Sequence, residues 1–354
     1  MKALVLSGGS GTRLRPFSHS LPKQLIPIAN KPVLEHVLGN IRDLGVTEIS
    51  VVVGDRAADI VNEIGDGTRF GARITYISQP QPLGLAHCVR LAREFLAEDD
   101  FVMYLGDNML PDGIVGIAQD FMATRPAAQV VVHKVSDPES FGVAELAPDG
   151  TVQRLVEKPR EPRSDLALIG VYFFTPAIHL AVAAIEPSDR GELEITDAIQ
   201  WLVESGGDVR AREYLGYWKD TGRVEEVLEC NRRLLDELQP AVLGHVDDAS
   251  VLTGQVVVES GARVIRSRIE GPAIIGAGSL IEDSHVGRYT SIARDCELRQ
   301  ASIHGSIVLE SATITRLRDV TDSVIGRSAS VSAPGQGGGH RLIIGDHTQV
   351  EVAA

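Results

Sequence analysis

A short glycine-rich segment near the N-terminus combines the residue types that bind an anion. Gly8, Gly9 and Gly11 follow an apolar run and allow backbone N–H groups to close on phosphate oxygens. Arg13 and Lys23 add positive charge. The first 34 residues contain five basic residues and no acidic one, although the formal net charge of the chain is -14. The segment therefore predicts a triphosphate site; a tight turn that binds nothing is the alternative for the glycines alone.

Two familiar nucleotide-binding loops do not match this segment. The fingerprint G-x-G-x-x-G fails at Leu14, and no G-K-[ST] follows as a P-loop requires. The pattern GGxGTRLxP followed by PKQLxPI instead resembles the signature of the sugar-1-phosphate nucleotidyltransferases. Within that family, the KQL triplet resembles the glucose-1-phosphate thymidylyltransferase branch. The nucleotide-binding residues that the resemblance implies here are Leu6, Gly8, Gly9, Gly11, Thr12 and Gln24.

Two aspartates each lie where a strand is predicted to end. Asp107 follows the apolar run 101–105, and Asp220 directly precedes a predicted helix. Open α/β sheets collect ligands at this edge. The two residues resemble the paired Mg²⁺ ligands of the family, and Mg²⁺ is usually held by one or two carboxylates together with substrate phosphates. The resemblance implies a Mg²⁺ cofactor on Asp107 and Asp220; a turn or helix cap is the alternative for each aspartate alone.

The segment after the predicted strand 74–77 contains candidates for base recognition. Gln79 offers an acceptor and donors to a pyrimidine edge, and Gly84 leaves room for a flat ring against the backbone. The resemblance assigns both residues to the base and Gln24 to the neighbourhood of the nucleoside. An ordinary proline-rich loop with a helix starting at Gly84 is the alternative.

Later segments contain candidates for binding a sugar phosphate. Lys158 is a suitable cation for a second phosphate, and Glu157 can accept hydrogen bonds from sugar hydroxyls. Phe141 stands where a tyrosine is common in the family, so one hydroxyl is missing. A solvated Glu-Lys pair is the alternative. The predicted sugar-phosphate residues are Gly142, Glu157, Lys158, Val171 and Trp218.

The resemblance implies transfer of a thymidylyl group. The phosphate of α-D-glucose 1-phosphate attacks the α-phosphorus of dTTP in line and expels pyrophosphate, giving dTDP-glucose. Because both reactants are anions and the attacking phosphate needs no general base, positioning and charge neutralisation carry the catalysis. The catalytic residues that the resemblance implies are Arg13, Lys23, Asp107, Lys158 and Asp220.

Three alternative functions stay open on the sequence alone. Uracil lacks only the methyl group of thymine, worth about 1–3 kcal/mol in a pocket, so a uridylyltransferase using UTP is not excluded. A sugar-nucleotide sensor would bind without turnover. An acyltransferase on the C-terminal repeats has candidate bases but no companion motif. Those candidate bases are His285, His304, His340 and His347.

Composition limits the class of protein. A length of 354 residues suits two domains, and 44% hydrophobic with 23% charged residues is typical of a soluble globular protein. The apolar runs are too short for a membrane span or a signal peptide, so we expect a cytoplasmic location. Cys88, Cys230 and Cys296 lack the spacing of a disulfide framework or a zinc site. The acidic net charge argues against nucleic-acid binding.

The elements that must position these residues follow from hydrophobic periodicity. Strand-like runs alternate with helical patterns, which predicts an α/β fold with a doubly wound, mostly parallel, Rossmann-like sheet. Apolar spacing predicts one helix between Pro32 and Gly45 and another over 223–238. A turn signal at 148–150 predicts a hairpin. The predicted strands are 3–6, 49–53, 74–77, 101–105, 130–135 and 168–174.

Beyond Pro240 the pattern changes to an aliphatic residue every five or six positions. This period predicts hexapeptide repeats that coil into a left-handed parallel β-helix with the aliphatic side chains inside; a β-sandwich is the alternative. We therefore predict a catalytic domain over 1–240 and a β-helix over 241–354. The repeats favour a structural, oligomerising or regulatory role, and we expect a homo-oligomer. The repeat residues are Ile275, Ile281, Val286, Ile292, Leu298, Ile303, Val308 and Ile314.

Overall fold

A computed structural model of the chain describes residues 1–9, 11–333 and 339–352. Up to Asp220 the strands are β1 (Lys2–Ser7), β2 (Pro27–Ile28), β3 (Lys31–Pro32), β4 (Glu48–Val53), β5 (Arg73–Ser78), β6 (Phe101–Leu105), β7 (Asn108–Met109), β8 (Ala128–Lys134), β9 (Gly142–Leu146), β10 (Val152–Glu157), β11 (Leu166–Phe174), β12 (Val209–Glu213) and β13 (Lys219–Asp220). The helices are α1 (Val33–Asp43), α2 (Ala57–Ile64), α3 (Leu85–Leu91), α4 (Arg93–Leu96), α5 (Val115–Thr124), α6 (Ile178–Ala184) and α7 (Ile195–Glu204). All six predicted strands are present.

A mixed sheet forms the core of this part of the chain. Its strand order is β10-β9-β11-β6-β1-β4-β5, and β8 pairs with β11 and with β12. The block β6-β1-β4-β5 is parallel, as predicted. Strand β11 runs antiparallel to β6 and β8, and the predicted hairpin β9–β10 joins the sheet through β11. The parallel block therefore brings the ends of β1, β4, β5 and β6 to one edge.

The position and the end of helix α1 follow from its local sequence. Its apolar residues recur at helical spacing and are buried, and the helix ends before Gly45, which adopts a left-handed φ of 74°. The Gly45 amide donates to Arg42 O at 2.8 Å. The buried residues of α1 are Val33, Leu34, Val37, Leu38 and Ile41.

The remainder of the chain is one helix followed by short strands. They are α8 (Val224–Leu235), β14 (Ala241–Val242), β15 (His245–Val246), β16 (Val251–Thr253), β17 (Val256–Val258), β18 (Arg263–Ile265), β19 (Arg268–Glu270), β20 (Ala273–Ile275), β21 (Leu280–Glu282), β22 (His285–Val286), β23 (Thr290–Ile292), β24 (Glu297–Arg299), β25 (Ser302–His304), β26 (Ile307–Val308), β27 (Thr313–Thr315), β28 (Val320–Thr321), β29 (Val324–Ile325), β30 (Ser330–Ser332), β31 (Ile343–Ile344) and β32 (Gln349–Glu351).

These short strands stack into three parallel sheets, as predicted for a left-handed β-helix. Each strand pairs with the strand one coil later, for example Ile275 with Ile292 and Ile281 with Leu298. The predicted repeat residues are buried inside the coils. Buried serines link successive coils: Ser284 Oγ accepts from Ala301 N at 3.1 Å, 17 residues away. The coil is therefore close to three hexapeptides.

The contacts divide the chain into two compact units. The sheet unit comprises Met1–Ser10 and Val33–Asp220, and the β-helix unit comprises Gly11–Pro32 and Thr221–Ala354. The predicted domain boundary at residue 240 stays a prediction. The contacts place two segments before it, Gly11–Pro32 and the residues from Thr221 onward, in the same unit as the β-helix. Helix α8 joins the β-helix because Asn231, which is fully buried, accepts from Ser291 Oγ at 2.8 Å. Among the described helices, none has the length and apolarity to cross a membrane.

Candidate active site

The ends of the parallel strands converge on Gly8. Leu6 pairs with Leu105 in the register of β1 and β6, and the Gly106 amide donates to Leu6 O at 2.9 Å. A Cβ on Gly8 would lie 3.1 Å from Gln79 Oε1, so glycine allows the approach of the residue that follows β5. The structure thus brings Leu6, Gly8 and Gln79 together at one edge of the sheet. Asp107 lies at the same edge, because it directly follows Gly106.

A two-stranded sheet brings the two predicted metal ligands together. Strand β13 pairs antiparallel with β7, and Asp220 lies opposite Asn108, one residue from Asp107. Asp107 is 8% exposed. Two residues separated by more than a hundred positions therefore become neighbours, as the resemblance implies.

Asn108 connects the aspartates to the aromatic residues, and sequence analysis did not find it. Its Nδ2 donates to Asp107 Oδ1 at 3.1 Å, and its Oδ1 accepts from Trp218 Nε1 at 2.8 Å. Trp218 is buried and packs edge-on against Phe141, with ring centroids 5.5 Å apart. Because both ends of the Asn108 amide are engaged, the Asp107 carboxylate is held in one orientation.

The donors at this position fit a hard divalent cation. Carboxylate oxygens are the ligands that Mg²⁺ prefers, and it keeps several positions for water or phosphate. Within residues 1–9, 11–333 and 339–352, no group of three or more His, Cys, Asp or Glu side chains forms a metal cage. An ion on Asp107 and Asp220 would therefore be completed by substrate oxygens, which suits a nucleotide metal.

Gln79 is fixed by a partner that the sequence did not reveal. The Gln79 Nε2 donates to Gly84 O at 3.2 Å and lies 3.1 Å from His87 Nδ1. Burial, and after it the charge of Arg90, lowers the pKa of His87, which favours the neutral ring. In the tautomer that carries its proton on Nε2, His87 Nδ1 accepts from Gln79. Both Nε2 hydrogens of Gln79 are then engaged, and Gln79 presents its acceptor Oε1 towards Gly8.

The structure explains why position 84 is glycine. Gly84 has a φ of 99°, and a Cβ there would lie 2.3 Å from the backbone oxygen of Leu193. Its carbonyl accepts a hydrogen bond from Gln79. The role of Gly84 in binding the base stays a prediction.

A cavity of about 490 Å³ with several charged lining residues lies at the second group of predicted residues. Glu157, Lys158, Arg190, Glu194 and Asp197 line it. The Lys158 Nζ and Arg190 Nη1 atoms each lie 3.8 Å from Glu157 Oε1. Arg190 was missed by sequence analysis; an arginine beside the Glu192–Asp197 acidic run was the available signal.

The charges in this cavity compete. Burial, followed by the neighbouring carboxylate of Glu194, raises the pKa of Glu157, and Lys158 and Arg190 oppose that rise. Burial works against the charge of Arg190, but the surrounding carboxylates raise its pKa overall. The site is therefore a partly desolvated mixture of two cations and several carboxylates, suited to a ligand with both phosphate and hydroxyl groups.

Lys158 has a strained backbone. Its φ of 42° lies in the left-handed region, and its amide donates to Phe141 O at 3.0 Å. In the described sheet unit, the other non-glycine residues with positive φ are Ala97 and Arg125, which are helix C-caps. Strain of this kind away from a helix end is characteristic of functional positions.

Gly142 and Val171 support the cavity without lining it. A Cβ on Gly142 would lie 2.8 Å from Thr196 Cγ2 and 3.1 Å from Glu157 Oε2, so glycine permits the contact between those side chains. Thr196 Oγ1 donates to Glu157 Oε2 at 3.3 Å. The Val171 side chain is fully buried in β11, so only its backbone is available to a ligand.

The other predicted residues lie in the β-helix unit, within Gly11–Pro32, which we call the signature segment. Gly11 has a φ of 62°, and a Cβ there would lie 3.2 Å from the Cβ atoms of Ser18 and Lys23. Thr12 and Arg13 are exposed and Lys23 is partly exposed. Gln24 is 1% exposed, and its Oε1 has no hydrogen-bond partner among the described residues. A buried acceptor of this kind is costly unless a ligand supplies a donor.

Comparison with known proteins gives a consistent result. The family described as nucleotidyl transferase matches residues 2–237. A glucose-1-phosphate thymidylyltransferase of Streptomyces griseus is 52% identical over 355 residues, covering 100% of both chains. A protein of the same name from Streptomyces antibioticus is 53% identical over 357 residues, covering 99% of both. A Bacillus anthracis crystal structure described as a glucose-1-phosphate thymidylyltransferase with sucrose shares 32% identity and a TM-score of 0.63, covering 68% of this chain and 97% of that one.

Proposed function

The chain belongs to the nucleotidyl transferase family, and from this premise we infer that it transfers a thymidylyl group from dTTP to α-D-glucose 1-phosphate. The products are dTDP-glucose and pyrophosphate. One structural observation carries the chemistry: β7 and β13 bring Asp107 and Asp220 together at the edge where Gly8 and Gln79 lie. The identity with the two Streptomyces enzymes extends over the whole chain and supports the choice of substrates.

The chemical step is a displacement at phosphorus. A phosphate oxygen of glucose 1-phosphate forms a bond to the α-phosphorus, and the bond from that phosphorus to the bridging oxygen breaks. Pyrophosphate leaves with the electron pair. The nucleophile is already deprotonated near neutral pH, so the protein contributes orientation and positive charge.

We assign the sugar phosphate to the cavity around Glu157. Lys158 and Arg190 neutralise its phosphate, and the Glu157 and Glu194 carboxylates accept hydrogen bonds from the sugar hydroxyls. Thr196 and the missing Cβ of Gly142 keep Glu157 in place. Because Trp218 and Phe141 are packed together, they support this edge by contact and not by a hydroxyl hydrogen bond.

We assign the divalent metal of the reaction, proposed to be Mg²⁺, to Asp107 and Asp220. When bound there, it would draw negative charge from the phosphoryl oxygens. Asn108 holds Asp107 ready for this role through its 3.1 Å hydrogen bond. Arg13 and Lys23 of the signature segment supply positive charge to the triphosphate.

Base selection follows from the hydrogen bonds of Gln79. Since its Nε2 is engaged by Gly84 O and His87 Nδ1, its free Oε1 accepts the N3–H group that thymine and uracil share. Cytosine has an unprotonated N3 and offers no donor there. We therefore propose that the chain rejects dCTP strongly and UTP only through the methyl group, by about 1–3 kcal/mol.

A pyrophosphate-release assay with dTTP, glucose 1-phosphate and Mg²⁺ tests the function, with dTDP-glucose identified by mass spectrometry. Turnover with dTTP at least equal to that with UTP is expected when both are present at equal concentration. Binding of dTDP-glucose without pyrophosphate release would favour the sensor, and a preference for UTP would favour the uridylyltransferase. A homo-oligomer stays a prediction, which sedimentation measures.

A further inference from the structure

The last described coils of the β-helix hold the signature segment through a buried carboxylate. Asp346 follows β31, and only 1% of its side chain is exposed. Its Oδ2 accepts from Ser20 Oγ at 2.7 Å, which joins residues 326 positions apart. A buried carboxylate needs several donors to offset the loss of water, and Ser20 is one of them.

Arg327 completes this group. Its backbone N donates to Asp346 Oδ1 at 2.7 Å, and its Nε donates to Asp346 Oδ2 at 2.7 Å. Its Nη2 donates to Ser20 O at 2.9 Å. Both the hydroxyl and the carbonyl of Ser20 are therefore bonded to the β-helix. A Cβ on Gly345 would lie 3.1 Å from Pro16 Cβ, so the coil and the segment are also in close contact there.

A second anchor lies at the other end of the segment. Asn231 Oδ1 accepts from Ala29 N at 2.9 Å, and Asn30 Nδ2 donates to Ile292 O at 2.7 Å. Ser20 and Ala29 flank Lys23 and Gln24 in the sequence. The part of the segment that carries these two residues is consequently fixed to the β-helix on both sides.

We propose that Asp346 is a positioning residue for dTTP binding, and that the β-helix acts in the reaction by holding the signature segment in its binding conformation. The inference rests on the proposed function, because it assumes that the segment serves the triphosphate. Loss of the Asp346 carboxylate removes the 2.7 Å hydrogen bond from Ser20 Oγ, which keeps its longer bond to Phe17 O, and it removes the acceptor of the Arg327 backbone N and Nε. Arg327 is 35% exposed and can reach water, so the fold tolerates the loss while the segment gains freedom.

The test uses the full chain and the variant Asp346→Ala, with Asp283→Ala as the matched control. Asp283 accepts from Arg266 Nε at 2.7 Å, and its contacts in the described structure stay within the β-helix coils. Hydrogen exchange of the Leu21 and Leu25 amides, bonded to Phe17 O and Pro22 O, reports on the segment. We expect exchange there to be about tenfold faster in Asp346→Ala and unchanged in Asp283→Ala.

Kinetics separate positioning from simple stabilisation. We expect kcat/KM for dTTP to fall about tenfold in Asp346→Ala, while the KM for glucose 1-phosphate changes less than about twofold. Ser20→Ala should give a smaller loss, because it removes only one of the hydrogen bonds to Asp346. The double variant should lose no more than Asp346→Ala, because that variant has already lost the bond from Ser20 Oγ. If Asp346→Ala does not fold, Asp346→Asn, which keeps the size of the side chain, replaces it.

The outcomes distinguish the two proposals. Unchanged exchange in the segment, equal losses for both substrates, or equal effects of Asp283→Ala would each overturn the role of Asp346. A wild-type protein that exchanges as expected but releases no pyrophosphate would overturn the proposed function instead, and the exchange comparison would still decide whether Asp346 anchors the segment.

Discussion

The sheet unit and the β-helix coils from Ala241 onward satisfy their buried polar groups differently. In the described residues from Ala241 onward, each buried side-chain nitrogen or oxygen has a partner, and serines repeat the same bond from coil to coil. In the sheet unit, Ser7 Oγ is buried without a partner among the described residues, directly before Gly8. Unsatisfied groups are expected where a ligand completes the site. Together with the unpartnered Gln24 Oε1 of the signature segment, this difference agrees with the proposal that ligands bind at the sheet edge and the signature segment, and that the coils from Ala241 onward support them.

Backbone strain shows the same contrast. Non-glycine residues with positive φ recur in the β-helix at Arg266, Asp283 and Gln300, which are 17 residues apart and therefore belong to the repeat. Lys158 has no such repeat and lines the cavity that we propose for the sugar phosphate. The same torsion angle belongs to the repeat in one unit and, in our proposal, to a ligand site in the other.

The largest expected difference between the units concerns their carboxylates. If Asp107 holds the metal as proposed, Asp107→Ala should lower kcat by at least about a thousandfold, because the positive charge beside the reacting phosphate is lost. Asp283→Ala in the β-helix should leave kcat within about twofold. Pyrophosphate release measures both. Similar losses in the two variants would break the distinction between a binding edge and a supporting coil.

Base selection at the sheet edge is the next largest effect. His87→Leu removes a hydrogen-bond partner of Gln79 Nε2. The side-chain amide of Gln79 can then rotate, so that its Nε2 group faces the base and donates to cytosine N3. We expect the preference for dTTP over dCTP, measured as the ratio of kcat/KM values, to fall about tenfold or more. His245→Leu, at an exposed position of the β-helix, is the control. An unchanged ratio in His87→Leu would show that Gln79 does not depend on His87.

A serine of the β-helix should affect stability and leave catalysis intact. Ser284→Ala leaves the buried Ala301 amide without its acceptor, which costs about 1–3 kcal/mol of unfolding free energy. Urea denaturation measures the loss, with the exposed Ser260→Ala as control. A drop in kcat without a drop in stability would contradict the supporting role of the coils.

Replacing Lys158 tests whether the positive φ at this position stores strain. Lys158→Gly and Lys158→Ala both remove the ammonium group, but only glycine relieves the positive φ. We expect both to lose activity and the glycine variant to be more stable than the alanine variant by about 1 kcal/mol in urea. Equal stabilities would mean that the backbone at this position stores no strain.

The pH dependence of Glu157 is the smallest expected effect. Its raised pKa means that the folded protein holds the proton at a pH where the unfolded chain has lost it. Stability contributed by this group is therefore present at low pH and declines as pH rises from the ordinary pKa to the folded one. The KM for glucose 1-phosphate should rise as pH falls through the same window, because the protonated carboxyl accepts fewer hydroxyl hydrogen bonds.

Glu157→Gln provides the control for this titration, since the substrate phosphate titrates as well. Subtracting the variant's profile leaves the contribution of Glu157. Identical profiles of KM and stability against pH in both proteins would contradict the shift and its cause.

Residues with local signals were predicted well. The strands, helix α1 and the β-helix period follow from apolar spacing along the chain, which burial then reproduces. The aspartates were found through the resemblance of short motifs. Asn108, His87 and Arg190 were missed, because they act through specific side-chain contacts that have no periodicity in the sequence. The bond from Trp218 Nε1 to Asn108, across 110 positions, is an example.

The amino-acid sequence by itself determined the two architectures, the presence of an anion-binding segment and the substrate class. Periodicity and short motifs depend on residues that are close together in the chain, so they can be recognised without the structure. Only the tertiary structure showed three features. The Nε2 group of Gln79 is engaged within the protein, position 84 has no room for a side chain, and the signature segment is hydrogen-bonded to the last described coils. Those outcomes depend on hydrogen bonds between distant segments, whose partners become known only when burial brings them within about 3 Å.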